Sequence, residues 1–111
     1  MPTLFTRIIN GEIPSAQVWE DELCVAFRDI NAVAPIHVLV VPRRELTRLD
    51  QMTDADEGLV GHLLHVAAKV AHQEGLKDFR IVINNGAGAG QSVFHLHVHV
   101  IGGRSFSWPP G

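Results

Sequence analysis

The distribution of apolar and polar positions along the chain predicts short strands on both sides of one long helix. Apolar, β-prone stretches flanking an acidic turn predict a hairpin, and a continuous apolar run between two prolines predicts a strand buried on both faces. A polar stretch with leucines three apart predicts a short helical turn. The segments are 17–29 for the hairpin, 37–41 for the buried strand, 43–51 for the helical turn, and 79–83 and 94–101 for two later strands. Strands grouped around one helix favour an α+β domain with an antiparallel sheet.

The long helix is predicted between Thr53 and Gly75. Thr53 can cap its start, acidic residues follow in the first turn, and Gly75 can end it. An apolar stripe with a period near 3.6 is expected to pack on the sheet. This stripe consists of Val60, Leu63, Leu64, Ala67, Val70 and Ala71.

Length and composition limit the possible function classes. The 111 residues are expected to form a single domain, residues 1–111, and 46 % hydrophobic with 19 % charged residues is typical of a folded chain. A net charge of −3 without a basic stripe argues against nucleic acid as a partner. We find neither a membrane span nor a signal peptide, so we expect a cytoplasmic location and no membrane partner. Cys24 is the only cysteine and is predicted to be a buried core side chain.

Three histidines at alternating positions are the strongest chemical signal. Because successive strand residues point to opposite faces, His95, His97 and His99 are predicted to share one face, while Leu96, Val98 and Val100 face the core. Three further histidines, at positions 62, 65 and 72, lie on the long helix. We expect no carboxylate or thiolate to complete a metal site with them, and we interpret them as a solvated helix face.

The glycine-rich loop before these histidines suggests two kinds of chemistry. Backbone N–H groups of residues 86–92 can approach a phosphate closely, and Gln91 and Ser92 add side-chain donors. A neutral imidazole can then attack phosphorus and form a covalent intermediate. Alternatively, two strand histidines can chelate zinc with His37 or a third strand histidine. The absence of an acidic residue near this strand in the sequence disfavours the metal site without excluding it.

The sequence resembles the histidine triad (HIT) superfamily, whose pattern of three histidines alternating with apolar residues appears in His95-Leu-His-Val-His-Val-Ile101. Within it the chain is similar to the Hint branch, the histidine triad nucleotide-binding proteins. The similarity covers nearly the whole chain. Its further motifs are Ile8-Ile9-x-x-Glu-Ile-Pro14, Ala26-Phe-x-Asp-Ile30, Ala34-Pro-x-His-x-Leu-Val40, Gly90-Gln-Ser-Val93, Gly102-Gly-Arg and Trp108-Pro-Pro-Gly111.

The resemblance implies a phosphoramidase that cleaves the P–N bond of purine nucleoside 5′-phosphoramidates, binds mononucleotides such as AMP and needs no cofactor. His97 would be the nucleophile, His99 would contact the α-phosphate, and His95 and His37 would orient the nucleophile. Ser92 would hydrogen-bond near the leaving group, and Asp29 would bind the ribose hydroxyls. The other expected substrate-binding residues are Phe5, Ile8, Phe27, Ile30, Asn84, Gly90, Gln91, Val93 and Trp108.

The resemblance also implies a five-stranded antiparallel sheet with one long and one short helix, continued across a homodimer. The tail around Trp108 is expected to dock on its own domain or on a second subunit. Two functional alternatives remain at this point. One is a metal-dependent phosphohydrolase, and the other is a nucleotide-binding interaction module in which catalysis is incidental.

Overall fold

A five-stranded antiparallel sheet organises the chain in the computed structural model, which describes residues 2–111. Every neighbouring pair of strands is antiparallel, and the order across the sheet is β1-β2-β3-β5-β4. The strands are β1 Gln17–Glu20, β2 Cys24–Arg28, β3 Ile36–Pro42, β4 Phe79–Val82 and β5 Val98–Gly102. This sheet confirms the predicted α+β class and the hairpin.

Two α-helices accompany the sheet. The predicted long helix is α2, Glu57–Gln73, which follows a 3₁₀ turn at Asp54–Asp56. Thr53 lies at the start of that turn, where its backbone N–H donates to the Asp56 carboxylate over 2.9 Å. The short helix is α1, Leu4–Ile9, which the apolar pattern did not indicate. The helical turn predicted over 43–51 is reduced to a 3₁₀ turn at Leu49–Gln51.

The two faces of the sheet have different neighbours. Cys24, Ala26 and Val38 belong to the face that packs against α2, whereas Phe27 and Leu39 belong to the opposite face, near α1. The stripe predicted for α2 is wrong at one position, because Leu64 is 44 % exposed. Its buried residues are Val60, Leu63, Val66, Ala67, Val70 and Ala71. Because α2 covers only one face of the sheet, the opposite face is available for a site.

The histidine strand begins later than predicted. β5 starts at Val98, so only His99 of the three alternating histidines lies within it. The β3–β5 pairing ends at Val40 opposite Val98, and two residues further along the register Pro42 would oppose Leu96. Proline has no N–H to donate to a sheet, so the pairing stops there. His95 and His97 consequently lie outside β5, in the irregular segment that leads into it.

The C-terminal tail contacts its own chain at Ser107, whose carbonyl accepts from Arg80 over 3.0 Å, but the Trp108 side chain that follows is mostly exposed. Trp108 is 82 % exposed, so the expectation that it docks on its own domain is wrong, and docking on a second subunit stays a prediction. Within residues 2–111, no helix combines the length and apolar character that crossing a bilayer requires.

Candidate active site

An open cavity of about 330 Å³ lies on the sheet face opposite α2. This volume falls in the range of small-molecule sites, roughly 300–1,000 Å³. Nine of the expected substrate-binding or catalytic residues line it, namely Phe5, Ile8, Phe27, Asp29, Ile30, Ser92, Val93, His97 and His99. The fold thus brings together residues from α1, β2, β5 and the segment that precedes β5.

Several expected residues lie elsewhere. Asn84 and His37 line a smaller adjacent cavity of about 220 Å³, which also borders His99. Four expected residues line neither cavity: His95, Gly90, Gln91 and Trp108. Sequence reasoning missed the lining residues Leu4, Ile13, Pro14, Ser15, Arg28, Asn31 and Leu39. The strand period could have identified Leu39, which shares the face of His37.

Hydrogen bonds to carbonyl groups determine the tautomer of His97. A carbonyl oxygen only accepts, so the 2.7 Å contact between His97 Nδ1 and the His95 carbonyl places the proton of the neutral ring on Nδ1. Nε2 of His97 therefore carries a free lone pair. The ring is held at its edge by Phe5, with the two ring centroids 4.9 Å apart.

His95 is fully buried, and its backbone carbonyl orients the ring of His97. Its Nε2 donates to the Pro42 carbonyl over 2.7 Å, which leaves Nδ1 to accept from the Thr3 hydroxyl, also over 2.7 Å. Both ring nitrogens are thus occupied, and the backbone carbonyl that orients His97 is held in place. His95 contributes to the geometry of the site rather than to the cavity wall.

A hydrogen-bond relay from the Val33 N–H through His37 determines the tautomer of His99. The Val33 backbone N–H donates to His37 Nδ1 over 3.1 Å, so the His37 proton is on Nε2. That Nε2–H donates to His99 Nδ1 over 2.9 Å, which places the His99 proton on its own Nε2. Within residues 2–111, His99 Nε2 is the one buried side-chain nitrogen or oxygen without a hydrogen-bond partner. This N–H is free to donate to a bound oxygen.

Burial keeps all four imidazoles neutral. Burial lowers the pKa of His37, His95 and His97 below the usual value of 6.5. The pKa of His99 falls to about 4, first because of burial and then because of the neighbouring His97 and His37. Neutral rings at physiological pH are required both for a nucleophilic lone pair and for the relay through His37.

The glycine-rich loop is held by the side chain of Gln91. This side chain is 3 % exposed, accepts from the Gly86 N–H over 2.8 Å, and donates to the carbonyls of Thr47 and Val93. The amide of Gln91 therefore ties the loop at Gly86 to the backbone of Val93 and of the distant Thr47. Gly86 and Gly90 have φ values of 94° and 98°, which only glycine adopts without strain. Ser92 remains exposed at the mouth of the cavity.

A metal ion on the histidine side of this site would compete with the hydrogen bonds that orient the imidazoles. Asp29, His37 and His99 each offer one ligand atom, and these atoms lie within 4.8 Å of one another. However, His37 Nε2 and His99 Nδ1 are occupied by their mutual hydrogen bond, and Asp29 Oδ2 lies 3.4 Å from the same His37 nitrogen. A metal would have to break the relay that gives His99 its free N–H.

Comparison with known proteins agrees with this architecture. The family model "HIT domain" matches residues 10–106. An uncharacterized HIT-like protein of Synechocystis sp. is 56 % identical over 110 residues, which cover 98 % of this chain and 96 % of that protein. A 14 kDa zinc-binding protein of Zea mays is 51 % identical, with 99 % and 88 % covered. The crystal structure of a HIT family hydrolase from Legionella pneumophila has a TM-score of 0.94 and 43 % identity, with 97 % and 98 % covered.

Proposed function

This chain belongs to the HIT family, and from that membership we propose that it is a purine nucleoside phosphoramidase whose nucleophile is His97. The comparisons already show that the chain has the HIT fold, which it shares with a protein described as a HIT family hydrolase. The choice of a P–N bond and of a purine nucleotide is the proposal, and it rests on the resemblance to the Hint branch. Attack on phosphorus is supported by the pair of ring nitrogens described next.

The observation that carries the proposal is that two neighbouring neutral imidazoles carry their protons on different ring nitrogens. His97 offers a lone pair at Nε2 and His99 offers an N–H at Nε2, and their ring centroids are 4.9 Å apart. A phosphoryl group needs a nucleophile for phosphorus and a donor for its non-bridging oxygen. These two rings provide both without any change of tautomer.

The reaction proceeds in two displacements. His97 Nε2 attacks phosphorus, an Nε2–P bond forms, and the P–N bond breaks with its electron pair going to the departing nitrogen. That nitrogen takes a proton at the cavity mouth, where Ser92 can relay it from water. Water then attacks phosphorus, the Nε2–P electron pair returns to His97, and a water proton is released. The products are an amine and a nucleoside monophosphate.

The remaining cavity residues suit a nucleoside. Phe5, Ile8, Phe27 and Ile30 supply apolar walls against which a base can stack. Asp29 uses one carboxylate oxygen to accept from the Asn31 N–H over 2.8 Å, and its position on the cavity leaves it available to ribose hydroxyls. Trp108, exposed on its own chain, is proposed to approach the cavity of a second subunit in a homodimer.

The test replaces His97 by Asn. The Asn amide nitrogen occupies roughly the place of Nδ1, so it can still donate to the His95 carbonyl, whereas nothing replaces Nε2. We expect hydrolysis of adenosine 5′-phosphoramidate to fall by more than about a thousandfold, while the far-ultraviolet circular dichroism spectrum stays unchanged. An Asn substitution is preferable to Ala because His97 is only 7 % exposed and contributes to packing.

Repeating the assay with a strong chelator distinguishes this mechanism from the metal-dependent alternative. We expect wild-type turnover to survive a strong chelator, and turnover abolished by chelator would instead support metal-dependent hydrolysis. Near-normal turnover by His97→Asn would contradict nucleophilic catalysis by His97. Tight AMP binding with negligible turnover of every phosphoramidate tested would leave a nucleotide-binding module as the better description.

A further inference from the structure

A second group of metal-ligating side chains lies on the other face of the sheet, away from the cavity. Asp21 is in the turn between β1 and β2, Cys24 begins β2, and His62 is on α2. Asp21 Oδ2 lies 2.8 Å from His62 Nε2 and 3.6 Å from Cys24 Sγ, and the three ligand atoms all lie within 4.8 Å of one another. We call this group the Asp-Cys-His cluster.

This cluster corrects the sequence-based interpretation of the helix histidines. His62 was expected to have no carboxylate or thiolate partner and to lie on a solvated helix face. The packing of α2 on the sheet brings it to a carboxylate and a thiol about 40 positions earlier in the chain. His65 and His72, in contrast, are exposed as expected.

The spacing of the cluster suits tetrahedral zinc. Bonds of about 2.3 Å to sulfur and about 2.0–2.2 Å to nitrogen and oxygen place tetrahedral ligands roughly 3.3–3.7 Å apart. The Asp21–Cys24 separation already has that length, and the Asp21–His62 separation needs to open by about 0.5 Å as the metal replaces their hydrogen bond. The side chains of His62 and Asp21 are 32 % and 25 % exposed, which leaves a route for the ion and a water ligand.

The carboxylate of the cluster is held in place and ionised. Its other oxygen, Asp21 Oδ1, accepts from the backbone N–H groups of Leu23 and Cys24 over 2.8 and 2.9 Å. Burial acts to raise the pKa of Asp21, but hydrogen bonds from Trp19, His62 and these two backbone groups lower it overall. The nearby Arg43 guanidinium donates to the Asp21 carbonyl and is neutralised by Glu20 at 3.2 Å.

A nucleophilic role for Cys24 does not fit the same surroundings. The residue is fully buried, and burial together with the Asp21 charge raises the pKa of its thiol to about 12. Reactive cysteines have the opposite properties, a lowered pKa and partial exposure. A bound divalent cation, however, deprotonates a coordinating thiol outright. Metal binding is therefore the chemistry that this trio supports.

We propose that Asp21 Oδ2, Cys24 Sγ and His62 Nε2 bind one Zn²⁺ ion, with water as the fourth ligand. Binding releases the Cys24 proton and moves the His62 proton from Nε2 to Nδ1, so that two anionic ligands and one neutral imidazole balance the charge of the ion. The ion joins the β1–β2 hairpin to α2. The site is structural and stands independently of the phosphoramidase proposal.

Cobalt provides a probe that identifies the site. Cys24 is the only cysteine in the chain, so a thiolate-to-Co²⁺ charge-transfer band can arise only there. We expect metal-free protein to develop this band with one equivalent of Co²⁺ and to lose it when Zn²⁺ is added. Fluorescence of Trp19 should change at the same stoichiometry, since its indole N–H donates to Asp21 Oδ2 over 2.9 Å.

The matched variants are His62→Gln and His65→Gln, both on α2. Gln at 62 keeps a hydrogen-bond donor for Asp21 but is a weaker metal ligand, so we expect Co²⁺ binding to weaken by more than about tenfold. The change at exposed position 65 should leave binding unchanged, and both variants should retain phosphoramidase turnover. Co²⁺ binding without a charge-transfer band, or equal bands in both variants, would overturn the proposal. Zinc that fails to raise the Tm of the wild type would refute the structural role.

Discussion

Replacing His99 by Asn should remove the part of the acid sensitivity of the folded state that comes from this one imidazole. The pKa of His99 falls from 6.5 to about 4 in the folded chain, chiefly because burial disfavours the imidazolium. The unfolded chain therefore binds a proton at this site over a pH range in which the folded chain does not. By linkage, the free energy of unfolding must decrease as the pH falls from about 6.5 towards 4, and it is unaffected by this group at higher pH.

The magnitude follows from the size of the pKa change. One pKa unit corresponds to about 1.36 kcal/mol, so His99 lowers the free energy of unfolding by about 2.5 kcal/mol between about pH 7.5 and about pH 4.5. Asn at this position offers an oxygen near the place of Nδ1, which can still accept from His37 Nε2. It has no titrating group, so this contribution disappears.

The assay is urea unfolding followed by circular dichroism at both pH values. We expect the wild type to lose about 2.5 kcal/mol more than His99→Asn between them, whatever their difference at the higher pH. His65→Asn on the exposed side of α2 serves as the control and should follow the wild type. If the wild type and His99→Asn lost stability equally, the inference that His99 is held neutral by burial would be refuted.

Three further substitutions test the packing of the sheet, the long helix and the glycine-rich loop. Gly102→Ala places a Cβ 2.6 Å from Leu76 Cδ1, so thermal unfolding should show a loss of about 1–3 kcal/mol. Gly58→Ala, in α2 with open space around it, should instead gain about 0.5–1 kcal/mol, and a loss there would contradict the reasoning. Gln91→Ala removes the bonds that hold the loop at Gly86 and should raise KM for the phosphoramidate more than it lowers kcat. Unchanged kinetics would show that the loop keeps its shape without Gln91.

The strands and the long helix could be predicted because their patterns are local. Alternation and apolar runs indicated β3 within one residue at each end, and a 3.6-residue period indicated α2. The start of β5 could not be predicted, because it depends on which residue of β3 lies opposite. Only the register places Pro42 against Leu96, and the missing N–H then ends the pairing.

The candidate site was predicted in part for a similar reason. His97, His99 and Ser92 follow from their own sequence motif, and all three line the cavity. Gln91 was expected to face the substrate, but its amide binds the Gly86 N–H and the carbonyls of Val93 and Thr47, and Thr47 lies more than forty positions earlier. The proximity of His62 to Asp21 and Cys24 was missed because both are about equally far away in the sequence.

By itself the sequence determined the residue types and their periodicity. It therefore predicted a sheet carrying a row of histidines beside a glycine-rich loop, and a family resemblance that the comparisons confirm. The tertiary structure decided the protonation of these histidines, since the tautomers of His97 and His99 depend on a backbone carbonyl and on the Val33 N–H. It also brought His62 to Asp21 and Cys24. The physical reason is that hydrogen bonding and metal ligation act over about 2–4 Å, and folding creates such distances between residues that the sequence keeps far apart.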